Sequence, residues 1–209
     1  MVALSGQVGP RYVKEGSDNT IRTGITGEVI TADAHARFRE SILRGNVYFM
    51  SITGATPTAY VGAGAGTPLL AIHNPASSGF NMSLLAVGVG IRAAGSAAGE
   101  TDITVWGGPS VLPTGTTTAP RSAYSFAQSG SAAIGFSNTA LTSSTALTLA
   151  LPLFNYYWAT AAGAVFTPGL FLTEGIPFAV PGNEIAIGAT VVITSATYDL
   201  AMYWEEVQI

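Results

Sequence analysis

The chain has 209 residues, no cysteine, two histidines, eight Lys or Arg and twelve Asp or Glu, for a formal net charge of −4. Its hydrophobic fraction of 48% is ordinary, but its charged fraction of 10% falls well below the roughly 25% of an average soluble domain. These counts exclude disulfide scaffolds, thiolate zinc sites and cysteine nucleophiles. They also argue against nucleic-acid binding, which needs clustered Lys and Arg at the phosphates.

The length suits one large domain or two small ones. Met1 to Gln7 lacks the basic and apolar regions of a secretory signal, so folding in the cytoplasm where the chain is made is expected. The long uncharged stretches, 47–91 and 122–173, are punctuated by Gly, Pro, Ser, Thr and Asn. None supplies the ~18 to 20 apolar residues of a spanning helix, so no membrane partner is expected. The mean hydropathy of +0.40 therefore reflects a Gly/Ala/Thr-rich globular composition.

Charge marks an internal boundary. Residues 1–45 carry 11 of the 20 charges and the remaining 164 residues carry nine. The first segment reads as an arm with one short helix, and residues 46–209 as a nearly neutral body. Residues 1–30, rich in glycine, read as extended. A helix is expected over about 32–44: Thr31 can cap it, Asp33 and Arg44 suit the two ends of its dipole, and Gly45 supplies a left-handed stop. Ala34, Phe38 and Ile42 form its apolar stripe.

The body reads as strands. Asn46–Thr53 and Leu69–His73 come first. In Ser83–Arg92, Leu85, Val87, Val89 and Ile91 take one face and Ala86, Gly88 and Gly90 the other. That small-residue face would let another sheet or subunit approach closely. Thr101–Trp106 and Ala123–Phe126 follow. Then Leu147, Leu149, Leu151 and Leu153 alternate strictly, with Pro152 marking an edge or a strand end. Phe166–Thr173, Ile185–Thr194 and Thr197–Val207 complete the set, and Tyr198, Leu200, Met202 and Trp204 share one face of the last. Turn residues at Asn74-Pro75, Gly107-Gly108-Pro109, Pro168-Gly169 and Pro181-Gly182-Asn183 separate the strands. Gly54–Thr67 and Pro109–Pro120 read as loops. Strands of this number and length predict an all-β fold, a jelly-roll-like β-sandwich.

Chemical motifs are sparse. Gly62-Ala63-Gly64-Ala65-Gly66 is followed by Pro68 and a strand, whereas a dinucleotide site needs a helix and a later acid; it reads as a loop, and no cofactor is expected. His35 falls on the polar side of the expected helix. His73 ends a strand, where its ring can hydrogen-bond a turn. Neither accompanies a nucleophile elbow or a zinc-binding pair, so no catalytic residue and no metal ligand is assigned. Glu100 and Asp102 share a strand face, which permits a cation site but equally suits exposed acids. Glu205 and Glu206 point to opposite faces of the last strand, and one of them could pair with an arginine. Asn81-Met82-Ser83 matches a glycosylation sequon by coincidence. The densest aromatic cluster is Phe154, Tyr156, Tyr157 and Trp158. Such residues anchor subunit interfaces, stack on sugars or finish a core strand; here they are read as an oligomer interface.

Taken in order, several segments resemble small structural proteins of tailed bacteriophages. They are Ile25-Thr26-Gly27-Glu28-Val29-Ile30-Thr31, the His35-Ala36-Arg37-Phe38 helix, Arg44-Gly45-Asn46-Val47-Tyr48-Phe49, Ile72-His73-Asn74-Pro75 with Gly79-Phe80-Asn81 and Leu84-Leu85, and the Val180-Pro181-Gly182 and Trp204-Glu205-Glu206-Val207 ending. The resemblance spans most of the chain through diffuse motifs. It implies a non-enzymatic virion protein of the capsid-decoration or cement kind, a jelly-roll-like body on the capsid surface assembling as a homotrimer. The partners it implies are the major capsid protein and further copies of the chain. Collar, tail and head spike domains that bind a host receptor or glycan are the alternative; a hydrolase using Ser with His73 or paired acids is the third. In the leading reading Arg11, Lys14, Arg22, Arg37 and Arg39 make the polar contacts to the capsid.

Overall fold

A left-handed glycine starts the body where the charge boundary predicts one. In the computed structural model, helix α1 (Arg39–Leu43) ends at Gly45, whose φ is +78°. The Gly45 amide donates to Ile42 O at 3.0 Å and the Asn46 amide to Ser41 O at 3.1 Å, the paired bonds of a Schellman stop. The structure describes residues 39–60, 62, 65–93, 98–127, 130–142, 147–158, 169–193 and 195–209. The start of the expected helix, 32–38, with His35, lies outside the described residues.

Among the described residues fourteen strands follow the helix: β1 (Val47–Ala55), β2 (Ala65–Gly66), β3 (Leu70–His73), β4 (Phe80–Ala93), β5 (Gly99–Pro109), β6 (Thr117–Thr118), β7 (Arg121–Ser122), β8 (Ile134–Ser137), β9 (Leu141–Thr142), β10 (Thr148–Trp158), β11 (Gly169–Leu172), β12 (Phe178–Ala179), β13 (Asn183–Gly188) and β14 (Thr197–Gln208). They form two antiparallel six-stranded sheets and a two-stranded ribbon of β2 and β9. The first sheet runs β11-β4-β14-β1-β7, with β12 also on β4; the second runs β10-β5-β13-β3-β8-β6. The fold is an all-β sandwich.

The two-residue period places the core. Val87, Val89 and Ile91 of β4 and Tyr198, Leu200, Met202 and Trp204 of β14 face inward from the first sheet. Leu70, Ile72, Ile103, Val105, Ile185 and Ile187 meet them from the second. Each fully buried side chain of this size contributes about 1.5–3 kcal/mol. The opposite face of the second sheet carries a smaller cluster of Tyr60, Ala71, Trp106, Phe136, Leu141, Leu147 and Ala186. Gly62 makes this second layer possible. Its φ is +67°, and a Cβ there would lie 2.5 Å from both Leu147 O and the Trp106 ring. The glycine-rich motif thus acts, at Gly62, as a point of close packing.

Three expectations need correction. The strict alternation of Leu147, Leu149, Leu151 and Leu153 does not survive, because bulges interrupt β10 between Leu149 and Leu151 and between Pro152 and Phe154. Leu147 joins the outer cluster, Leu151 and Leu153 pack against the main core, and Leu149 is left 46% exposed. Pro152 does mark an edge, since β10 borders its sheet. Ala123–Phe126 is a turn, not a strand: the Phe126 amide closes onto Ser122 O at 2.8 Å and Phe126 has φ +58°, so pairing is confined to Arg121 and Ser122. The strand expected over 185–194 stops at Gly188. There the Asp102 carboxylate accepts from the amides of Thr190 and Val191 at 2.7 and 2.9 Å and draws the chain off the sheet.

Candidate interaction surface

The face of the first sheet turned away from the core is assembled from the other half of each alternation. One row across the strands reads Leu172, Ala86, Tyr203, Phe49 and Arg121. The Phe49 ring stacks on Tyr203 at 5.8 Å and receives the edge of Phe126 at 5.7 Å, a continuous aromatic strip. The next row reads Leu170, Gly88, Ala201 and Ser51, and beyond it Gly90 lies opposite Asp199. A bulky half and a shallow, small-residue half therefore lie side by side. Phe126 is 67% and Leu170 60% exposed.

Charge on this face is sparse and balanced. Arg92 pairs with Asp199 at 3.5 Å at one end, and the Asp199 carboxylate also accepts from the Gly54 amide at 2.7 Å. Arg121 and Glu205 stand toward the other end, and the Arg121 guanidinium donates to Phe126 O at 3.1 Å, tying the turn over Phe49.

The other sheet ends in an open hollow of about 410 Å³, walled by Val111, Leu112, Pro75 and Ala76 and floored by His73, Ser110 and Gly182. His73 and Glu184 are cross-strand partners, both buried. The Ser110 hydroxyl donates to Glu184 Oε2 at 2.9 Å and lies 2.7 Å from Val111 O. Burial pushes the Glu184 carboxyl up, partly offset by the serine hydrogen bond, and pushes the His73 imidazole down. The expectation that the His73 ring binds a turn is not met: its buried Nδ1 has no hydrogen-bond partner among the described residues. The turn is held instead by Asn74, whose Nδ2 donates to Phe80 O and Ala179 O at 2.8 and 2.9 Å. The Ser110 hydroxyl, the Glu184 carboxyl and the His73 imidazole thus meet at one end of this sheet.

Glu100, Asp102 and Glu206 are engaged structurally. Glu100 accepts from Asn155, and Asp102 from Thr190 and Val191. Among the described residues no group of three or more His, Asp or Glu side chains could hold a metal ion. Glu205 and Glu206 do face opposite sides, but the partners of Glu206 are not an arginine. It is buried and accepts from Ser131 Oγ, the Ala132 and Ala133 amides and Trp204 Nε1.

Of the residues expected to touch the capsid, Arg11, Lys14, Arg22 and Arg37 lie outside the described residues, and Arg39 opens α1 with its side chain outside them. Of the expected oligomer interface, Phe154 is half-buried and stacked on Phe171 at 5.9 Å at the margin of the core. Tyr156, Tyr157 and Trp158 continue β10 opposite Thr101, Glu100 and Gly99, and their side chains lie outside the described residues. No local window of the sequence shows the aromatic strip, because its members are scattered from Phe49 to Tyr203. The alternation that sends Tyr198, Leu200, Met202 and Trp204 inward sends Ala201 and Tyr203 outward, and that signal was available.

Comparison with protein-family models, with curated proteins and with solved structures finds no match to this chain.

Proposed function

We propose that this chain is a structural protein of a tailed-phage particle that binds the capsid shell as an oligomeric decoration, or cement, protein. One observation carries most weight: the outer face of the first sheet carries a partly exposed aromatic strip beside small residues, with few and balanced charges. Exposed apolar patches of this kind on a soluble domain mark surfaces that meet another macromolecule. The sequence resemblance supplies the particle, and the charged first 45 residues supply polar contacts to the major capsid protein.

In this reading the work is binding. The sandwich is a stiff plate, and several copies multiply weak contacts to the shell through effective concentration. A shell clamped at many points resists outward pressure from packaged DNA. The test is mass spectrometry and immunogold labelling of purified virions from the phage that encodes the chain. Labelled heads are the expected result; particles without the chain overturn the reading. Label confined to the collar or tail, with binding to host glycan, establishes the spike alternative.

A further inference from the structure

The geometry points to the hollow over His73 as a binding site for a small neutral alcohol or phenol, its apolar body held between Val111, Leu112, Pro75 and Ala76 and its hydroxyl on the His73 imidazole. This goes beyond the proposed function and does not rest on it.

Size and walls fix the class of ligand. At about 410 Å³ the hollow lies at the small end of the ~300 to 1,000 Å³ range of small-molecule sites, and like them it joins apolar walls to few polar groups. Val111 and Leu112 follow each other just beyond β5 and are both exposed, so this wall keeps apolar surface in water. Among the described residues no Lys, Arg, Asp or Glu lines the hollow. An anion finds no countercharge there, and a cation would be stripped of water against apolar walls without a paired charge. A neutral ligand meets neither cost.

A buried imidazole supplies the polar end. His73 is 3% exposed, and its Nδ1 has no hydrogen-bond partner among the described residues. Asn74 Oδ1 shares that condition, but Asn74 is held through its Nδ2 and does not line the hollow. Buried polar atoms are almost always hydrogen-bonded, so an orphan on a side chain that floors an open hollow marks a place for a ligand atom. Ser110, beside it on the floor, is already committed to Glu184 and Val111 O. Burial keeps the His73 ring neutral, with one N–H and one bare nitrogen. A half-turn about the Cβ–Cγ bond interchanges the two ring edges. A hydroxyl, which both donates and accepts, therefore suits whichever nitrogen meets the ligand.

The test is titration of the isotope-labelled full chain with p-cresol, p-xylene, p-toluate and p-methylbenzylamine, followed by amide chemical shifts. With p-cresol, saturable shifts are expected at His73, Ser110, Val111 and Leu112. p-Xylene, with a methyl in place of the hydroxyl, should bind roughly three- to tenfold more weakly, the worth of one net hydrogen bond. The two charged probes should bind more weakly than p-cresol. Ala76→Trp, at an exposed position on the wall, should fill the hollow and abolish binding. His73→Phe should bring p-cresol and p-xylene to equal affinity, with circular dichroism as the folding control. If that variant fails to fold, the two wild-type titrations still test the hydroxyl contact.

The inference is overturned by p-cresol giving no saturable shift, or by a p-cresol affinity that Ala76→Trp leaves unchanged. It is overturned equally by p-xylene or either charged probe binding as tightly as p-cresol. None of these outcomes alters the labelling of virions, so the site and the proposed function fail separately.

Discussion

The Ser110 hydroxyl donates to the Glu184 carboxylate at 2.9 Å across two neighbouring strand ends, and the residue that carries this carboxyl is only 2% exposed. Glu206, equally buried, has four donors among the described residues. Burial favours the protonated form of Glu184, and the serine hydrogen bond offsets it only in part.

Stability should therefore fall as pH rises through Glu184's range. Its folded pKa is raised above the ordinary 4.5, so its contribution is complete below 4.5 and lost as pH climbs through the raised value. The slope is at most about 1.4 kcal/mol per pH unit for one proton. His73 acts oppositely: its folded pKa is lowered, so its contribution is complete above 6.5 and lost as pH falls through the lowered value. Urea midpoints from about pH 4 to about pH 8 should show Glu184→Gln losing the alkaline decline and His73→Leu the acid one. Unchanged profiles would sink this account.

Glu206→Ala should destabilise the body by about 3 kcal/mol, since it strands two backbone amides, a serine hydroxyl and the Trp204 indole N–H near a buried site. Glu206→Gln should cost less, because its carbonyl oxygen still accepts. Equilibrium denaturation ranks the pair, and an alanine variant as stable as wild type would count against the anchor.

Gly62→Ala should cost about 2 kcal/mol or more, because the new methyl meets Leu147 O and the Trp106 ring and the left-handed backbone is strained. Near-ultraviolet dichroism should report the disturbed Trp106 together with the lowered melting temperature.

The bulges of β10 make a sharper forecast. Leu149→Ser should change stability by less than about 0.5 kcal/mol, whereas Leu147→Ser, in the outer cluster, should cost roughly 2 kcal/mol or more. Equal losses at the two leucines would restore the uninterrupted alternation read from the sequence.

Much of the sandwich was legible in local pattern. Alternation in 83–92 and 197–207 is a property of a pleated strand: it names the inward residues of β14 and, in β4, Val87, Val89 and Ile91, but a bulge at Leu85 turns Leu84 into the core in place of Leu85. Pro152 announced an edge because it cannot donate to a second neighbour. The short strands β6, β7, β8, β9 and β12 were not legible, since two to four residues carry too little periodicity and exist only where a long partner pairs with them. The Asp102 loop and the Glu206 anchor join positions some 70 to 90 residues apart, and no local window contains both ends.

By itself the sequence determined that this chain is all-β, sparsely charged after residue 45, and equipped with two strong amphipathic strands. Only the tertiary structure decided which outward residues become neighbours. Phe49, Phe126 and Tyr203 form one strip because β1 pairs with β14 in a particular register and a turn folds over both. Register is set by long-range burial, with a single-residue slip turning every side chain to the other face. A surface assembled from distant strands is therefore a property of the packed sheet and of no segment within it.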